Sequence, residues 1–342
     1  MNLTRPYGYN FDERSKSKLW LDKNENIDPL LGKTIKDIIN KVSESALFYP
    51  ENKNIYTLLA KIENIDKSNI IFTHGSDGGI RSIFQLLIKS GDSVLITDPT
   101  FAMYDVYCKI YQAKKVKVSY ELSSNQLTID YTKTLKEIKK NRVKLFCLPN
   151  PDSPSGVFHN SKFIDKAVNL LSKNNGYLLI DEAYYPFYNS TWIQKIKKYE
   201  NLFIVRSFSK SFGVAGLRIG YIASSSNLID KLNLIKPMYE VSSLSLEVAY
   251  SLLKKINKVH ASIKRLNKGK NYFENFFKKK GYKVLKTEGN FSHILLPNLD
   301  INLFKKYCYF RYFNSGPLNG FSRFTSTNIK NFKELLINVY GK

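Results

Sequence analysis

The sequence predicts an α/β protein: a mainly parallel seven-stranded sheet covered by helices on both faces, with a smaller α/β unit toward the C-terminus. Three observations carry that expectation. Between about residues 70 and 220, short apolar runs alternate with longer amphipathic stretches. The turns between them are short. Past about residue 227 the pattern becomes helical and then mixed, which marks a second unit. A length of 342 residues accommodates both, since single cores seldom grow beyond about 250 residues.

In chain order the strand candidates are Asn69–Thr73, Ser93–Thr97, Lys115–Ser119, Val143–Leu148, Tyr177–Ile180, Leu202–Ser207 and Ile219–Ala223. Helices are expected over Gly78–Lys89, Ala102–Tyr111, Thr134–Lys140 and Ser161–Asn174. One long helical stretch runs from Leu246 to Lys280, followed by strands near Tyr282–Lys286 and His293–Leu296. No internal repeat interrupts this order.

Composition removes several function classes. Hydrophobic residues at 43% and charged residues at 24% are ordinary globular values, so disorder is not the main state. No apolar stretch approaches the roughly 18 residues that span a membrane. Residues 1–13 are polar and do not read as a secretory signal. Cys108, Cys147 and Cys308 form no CxxC pair and leave an odd count, which argues against a disulfide scaffold or zinc site and for a reducing, cytoplasmic compartment. The net charge of +24 would suit nucleic acid, but 44 of the 53 basic residues are lysines spread along the chain at helical spacing. They read as solvated helix faces, and no nucleic-acid partner is expected. A positive field also attracts phosphorylated or carboxylated small molecules.

In open α/β sheets, ligands collect at the carboxyl ends of strands. There the chain places His74-Gly75-Ser76-Asp77-Gly78-Gly79, whose turn into a helix aims backbone N–H groups at an anion. A carboxylate pair, Asp181-Glu182, ends the strand Tyr177–Ile180 and needs a partner if buried. Lys210 stands in Ser207-Phe208-Ser209-Lys210-Ser211-Phe212-Gly213, among small and aromatic residues unlike those beside the exposed lysines. Partial burial would lower its pKa and make it a Schiff-base nucleophile. Arg218 follows eight residues later, suited to bidentate phosphate binding. An anion cup, a strand-end acid, a nearby tyrosine and a secluded lysine together match what pyridoxal phosphate requires.

The motifs also carry a family resemblance. Leu21-Asp22-Lys23-Asn24-Glu25-Asn26, Tyr49-Pro50, Gly75-Ser76-Asp77, Pro99-Thr100-Phe101-Ala102-Met103-Tyr104, Pro154-Ser155-Gly156, Asp181-Glu182-Ala183-Tyr184, Ser207 to Arg218, Gly289-Asn290-Phe291 and Arg323-Phe324-Thr325 follow one order across nearly the whole chain. In this the chain resembles the fold-type I pyridoxal-phosphate-dependent aminotransferases. The likeness is greatest to the histidinol-phosphate aminotransferase branch, which is related to the threonine-phosphate decarboxylases. The resemblance implies an N-terminal arm over 1–45 contributing to the small domain, a large cofactor-binding domain over 46–240 and a small C-terminal domain over 241–342. It implies that Lys210 forms the Schiff base and carries out the 1,3-proton transfer, that Asp181 pairs with the ring nitrogen, and that Tyr184 bonds the ring hydroxyl. Phe101 would stack on the ring. Ser76, Asp77, Ser207, Ser209 and Arg218 would hold the phosphate. Tyr49 would reach the phosphate of a neighbouring subunit, implying a homodimer with shared sites. Arg311 and Arg323 would bind the substrate's phosphate or carboxylate.

Two positions depart from the family pattern. Asn150-Pro151-Asp152-Ser153-Pro154-Ser155-Gly156 puts Ser153 where an asparagine normally contacts the ring hydroxyl, although another register would give that role to Asn150. Gly78 stands where the family has an acid. The expected activity is amino transfer on a small phosphorylated substrate. The alternative is decarboxylation of a phosphorylated amino acid such as phosphoserine or phosphothreonine.

Overall fold

The computed structural model describes residues 13–341. The polar stretch 1–12 and Lys342 lie outside the described residues, and with them the start of the expected N-terminal arm. The chain enters through β1 (Leu19–Trp20), α1 (Pro29–Val42) and α2 (Lys53–Glu63). Asp28 starts α1: its carboxylate accepts the Leu31 N–H at 3.0 Å, and Pro29 takes a first-turn position where no N–H is needed.

The body of the protein is then laid down as β2 (Ile70–Thr73), α3 (Gly75–Leu87), β3 (Ser93–Asp98), α4 (Met103–Ile110) and β4 (Lys114–Ser119). A small hairpin of β5 (Glu121–Ser123) and β6 (Gln126–Thr128) precedes α5 (Tyr131–Lys140), β7 (Leu145–Pro149), α6 (Ser161–Lys173), β8 (Tyr177–Asp181), β9 (Leu202–Ser207) and β10 (Gly220–Ala223). The large sheet has seven strands in the order β2-β10-β9-β8-β7-β3-β4. β10 alone runs opposite to the other six strands. All seven strands expected between residues 69 and 223 belong to it. The central strands are apolar because both faces are covered: Phe146 and Leu148 point into one core layer, Leu145 and Cys147 into the other.

Three helices follow: α7 (Ser226–Ile235), α8 (Ser243–Lys254) and α9 (Ile256–Lys279). The long helical stretch expected from Leu246 to Lys280 is therefore two helices meeting at Lys255. Likewise α3 begins at Gly75, not Gly78, so the glycine run forms the helix's first turn rather than a loop before it.

The remaining elements are β11 (Val284–Leu285), β12 (Phe291–Leu295), α10 (Asn298–Tyr307), β13 (Cys308–Tyr309), β14 (Arg311–Tyr312), β15 (Phe321–Thr325) and α11 (Ile329–Tyr340). They form an antiparallel sheet, β11-β12-β15-β14, over a separate core of aromatic rings. Phe273, Phe277, Phe304, Phe324 and Phe332 are fully buried there, each contributing about 2 kcal/mol by burial. β1 pairs in parallel with β13, which stitches the N-terminal segment to this second layer. Among the described residues no helix is long and apolar enough to cross a membrane, and no cluster of three His, Cys, Asp or Glu residues could hold a metal ion. The three cysteines are free and buried.

Candidate active site

At the carboxyl ends of β3, β7, β8 and β9 the chain leaves a cavity of about 450 Å³. Its walls come from four directions: the sheet ends, the first turn of α3, the segment Asp22–Asn24, and the small sheet through Arg311, Phe313 and Arg323. All the residues singled out as site candidates line it except Tyr49. Tyr49 is 74% exposed and its ring stacks on Tyr239 with centroids 4.2 Å apart.

The anion cradle is built largely from main chain. Gly75 adopts φ +72°, and a Cβ there would lie 2.8 Å from Nη2 of Arg218, so the guanidinium occupies the space a side chain would need. Gly220 is equally constrained, because its Cβ would meet the Gly75 carbonyl carbon and the Ser76 nitrogen at 2.6 Å. The first-turn N–H groups of α3 have no helical acceptors of their own and carry the positive end of the helix dipole. Nη1 of Arg218 donates to Ser209 Oγ at 3.3 Å and to the Ala215 carbonyl at 3.0 Å. The Ser209 amide donates to Ser207 Oγ at 3.0 Å. Asp77, next to this cradle, accepts a hydrogen bond from the Tyr107 hydroxyl at 2.7 Å.

Lys210 enters the cavity from the loop after β9, and its Nζ donates to the Lys23 carbonyl at 2.7 Å. Burial, with Arg323 nearby, lowers its pKa to about 8 against the opposing pull of Glu25. A substantial fraction of the amine is thus neutral near pH 8, as a nucleophile requires.

Asp181 ends β8 and is buried. Its Oδ1 accepts the Ala183 N–H at 3.0 Å and its Oδ2 the Tyr104 hydroxyl at 3.1 Å. Burial raises its carboxyl to about 6, opposed first by the hydrogen bond from Tyr104. Tyr184 is held by Asn24, whose Nδ2 donates to the phenol oxygen at 2.8 Å. Burial raises its pKa, while the charge on Arg323 pulls the other way. Ser153 lines the cavity, and its Oγ accepts from Nη1 of Arg323 at 3.3 Å. Asn150 does not line it: its side-chain oxygen accepts the His159 N–H at 2.8 Å. Of the two registers left open by the sequence, the structure therefore turns Ser153 to the cavity. Phe101 lies on the rim, 37% exposed, edge-on to Tyr104.

Arg311 and Arg323 stand directly opposite each other on β14 and β15. Like charges in that register repel, and an anion between them removes the penalty. Nη2 of Arg323 also donates to the Asp22 carbonyl at 2.8 Å.

Three contributors carried no role in the sequence reading. Asn24 has φ +56°, a conformation Asn tolerates better than most residues, and this brings its amide to Tyr184. Tyr104 is fully buried and reaches Asp181. Asp152, raised to about 7 by burial, accepts from Thr97 at 2.7 Å, Thr100 at 3.1 Å and Tyr120 at 2.7 Å, which ties the loop of Phe101 to that of Ser153. The only sequence signal was that all three stand in or beside the motifs quoted above.

A seven-stranded α/β sheet with a lysine, a buried acid and a helix-end anion cradle at its strand ends defines a pyridoxal-phosphate-dependent enzyme of fold type I. Within that class, the chain belongs to the class I and II aminotransferase family, whose model matches residues 16–336. It is 35% identical to the histidinol-phosphate aminotransferase of Thermoanaerobacter sp. (strain X514) over 257 residues, 72% of each chain. Among solved structures it resembles histidinol-phosphate aminotransferase from Sinorhizobium meliloti in complex with pyridoxal-5'-phosphate. The TM-score is 0.82 at 20% identity, covering 94% of this chain and 89% of that one. It also resembles L-threonine-O-3-phosphate decarboxylase from Porphyromonas gingivalis, with a TM-score of 0.73 at 21% identity over 89% of this chain and 96% of that one. At these identities the two structures share the fold.

The cofactor is pyridoxal phosphate, and the residues present fit it. Asp181 is a buried carboxylate whose hydrogen-bond donors are a phenol and an amide, so a protonated ring nitrogen would supply the charge it lacks. The cradle around Arg218 suits a phosphate, and Lys210 is already shifted toward its neutral form. When bound, the cofactor supplies an electrophilic carbonyl and an electron-withdrawing ring.

Proposed function

We propose that this aminotransferase acts on a small phosphorylated amine and its keto counterpart, histidinol phosphate being the first candidate. The observation that carries this is the pair Arg311 and Arg323, in register on β14 and β15 and facing the same cavity as Lys210. Two adjacent guanidiniums suit a dianion better than a single carboxylate. The relative from Thermoanaerobacter, a histidinol-phosphate aminotransferase, supports the choice of amine.

In this reading Lys210 Nζ would hold the cofactor covalently until the substrate's amine takes its place, and the freed amine would then move the substrate's α-proton. Asp181 holds the ring nitrogen, and Tyr184 with Ser153 holds the ring hydroxyl. Ser76, Asp77, Ser207, Ser209 and Arg218 bind the cofactor phosphate, and Phe101 covers the ring face. The domain division at 45/46 and 240/241 belongs to the same reading; the separate aromatic core, drawn from Leu21 and from Phe273 onward, supports a second domain, while α8 and the start of α9 pack into the large core. So does a homodimer. Its support is the exposed apolar run Leu47, Phe48 and Tyr49, beside exposed Met238 and Tyr239. A second copy of the chain covers that surface and brings Tyr49 to its neighbour's cradle.

The test is the visible spectrum of the holoenzyme with L-glutamate and then with histidinol phosphate. Loss of the cofactor's visible band with stoichiometric keto product from each supports the reading. Release of CO₂ from phosphothreonine, with no keto product from either amine, replaces it with decarboxylation.

A further inference from the structure

Helix α4 carries Tyr104 and Tyr107 one turn apart, and each phenol ends on a different carboxylate at the cavity. Tyr107 donates to Asp77 Oδ1 at 2.7 Å and Tyr104 to Asp181 Oδ2 at 3.1 Å. Tyr104 is wholly enclosed. Its own ionisation is suppressed by burial and by the charge on Asp181, so it remains a proton donor wherever the protein is folded. A phenol donating to a carboxylate favours the charged acid over the neutral one.

We propose that Tyr104 is a positioning residue for the cofactor: its hydroxyl keeps Asp181 charged and fixes the orientation in which that carboxylate meets the ring nitrogen. This rests on the role of Asp181 proposed above. The geometry supports it from both sides of the carboxylate. One oxygen is pinned by the backbone of Ala183 and the other by Tyr104, so the group cannot rotate without losing a bond. The other titratable or charged groups facing Asp181 are Asp77 from α3, Cys147 from β7, Glu182 and Tyr184 beyond its own strand, and Lys210 from the loop after β9. Asp77 and Glu182 push its pKa up. Lys210 is the one cation of the set, and in the holoenzyme its nitrogen is engaged with the cofactor. Tyr104 is thus the side-chain hydrogen bond that opposes burial at this acid.

The test is a titration of cofactor-free protein with pyridoxal phosphate between about pH 5 and pH 8, read by visible absorbance. Wild-type affinity falls as pH drops through the titration of Asp181 at about 6. Tyr104→Phe moves that fall upward by about one pH unit, the scale of one hydrogen bond to a charged group. Asp181→Asn abolishes the step, and adding Tyr104→Phe to Asp181→Asn weakens binding no further. The cofactor phosphate titrates alike in every variant, so only differences between variants are read. An unmoved midpoint in Tyr104→Phe, or additive losses in the double variant, overturns the inference while leaving the role of Asp181 intact. Wild-type affinity and an intact step in Asp181→Asn overturn that role and the inference together. Thermal melts of the cofactor-free proteins run in parallel. If Tyr104→Phe does not fold, Tyr104→His takes its place: its ring N–H keeps a donor and predicts a midpoint near the wild type's, and a shift of a full unit overturns the inference.

Discussion

The two ends of the cavity are built by different means. At the α3 end the anion cradle is main chain: first-turn amides, two glycines with no room for a Cβ, and an arginine wedged into the gap. At the opposite end, Arg311 and Arg323 project from short strands of the small sheet, and their neighbours Ser153 and Asp22 come from loops. The first end is fixed by backbone packing and suits a group common to many reactions. The second is fixed by a few side chains and suits the part of the substrate that varies.

Three substitutions sharpen or break this contrast. Lys210 sits between the two ends, and Lys210→Ala removes the amine proposed to carry the chemistry. Turnover falls by at least about a thousandfold, measured as steady-state rate with saturating amine; retained turnover would remove Lys210 from the chemistry. Arg323→Met acts first at the variable end, and also removes the hydrogen bond to Ser153. KM for a phosphorylated amine rises about 10- to 100-fold, as expected for one lost charge-assisted bond, while cofactor affinity stays near wild type. Equal loss at both would show the ends to be one unit. Gly220→Ala strains only the main-chain end, where the new Cβ would stand 2.5 Å from the Arg206 carbonyl oxygen. Stability drops by about 1–3 kcal/mol, followed by thermal melting, with weaker cofactor binding. KM for the amine in the reconstituted enzyme changes little.

The same division governs what the sequence reveals. The inner strands of the large sheet are near-continuous apolar runs because both faces are buried, while the edge strand β4 alternates exposed lysine with buried valine, and each was legible. The cradle was legible only through its joint pattern with the lysine and Arg218, since Gly, Ser and Asp at a strand end are by themselves ordinary helix-cap residues. Its register was less so: a glycine run reads as a turn, whereas Gly75 through Gly79 are the opening of α3. The helix break at Lys255 leaves no proline or glycine to mark it. β13 and β14 are two residues each, too short for any periodicity, so Arg311 could be placed only by its distance from Arg323. Tyr104 and Asn24 act through contacts across 77 and 160 residues, which local pattern does not encode.

The carbonyls of Lys23 and Asp22 hold the Lys210 amine and the Arg323 guanidinium respectively. Both acceptors are peptide oxygens, so replacing the side chains at positions 22 and 23 leaves them in place. A designer seeking a different substrate therefore has one cavity-lining position, Lys23, whose exposed side chain is open to variation, whereas the Asp22 carboxylate also accepts from Arg14 at 2.9 Å; the parking places of both cations persist in every variant that keeps the backbone path.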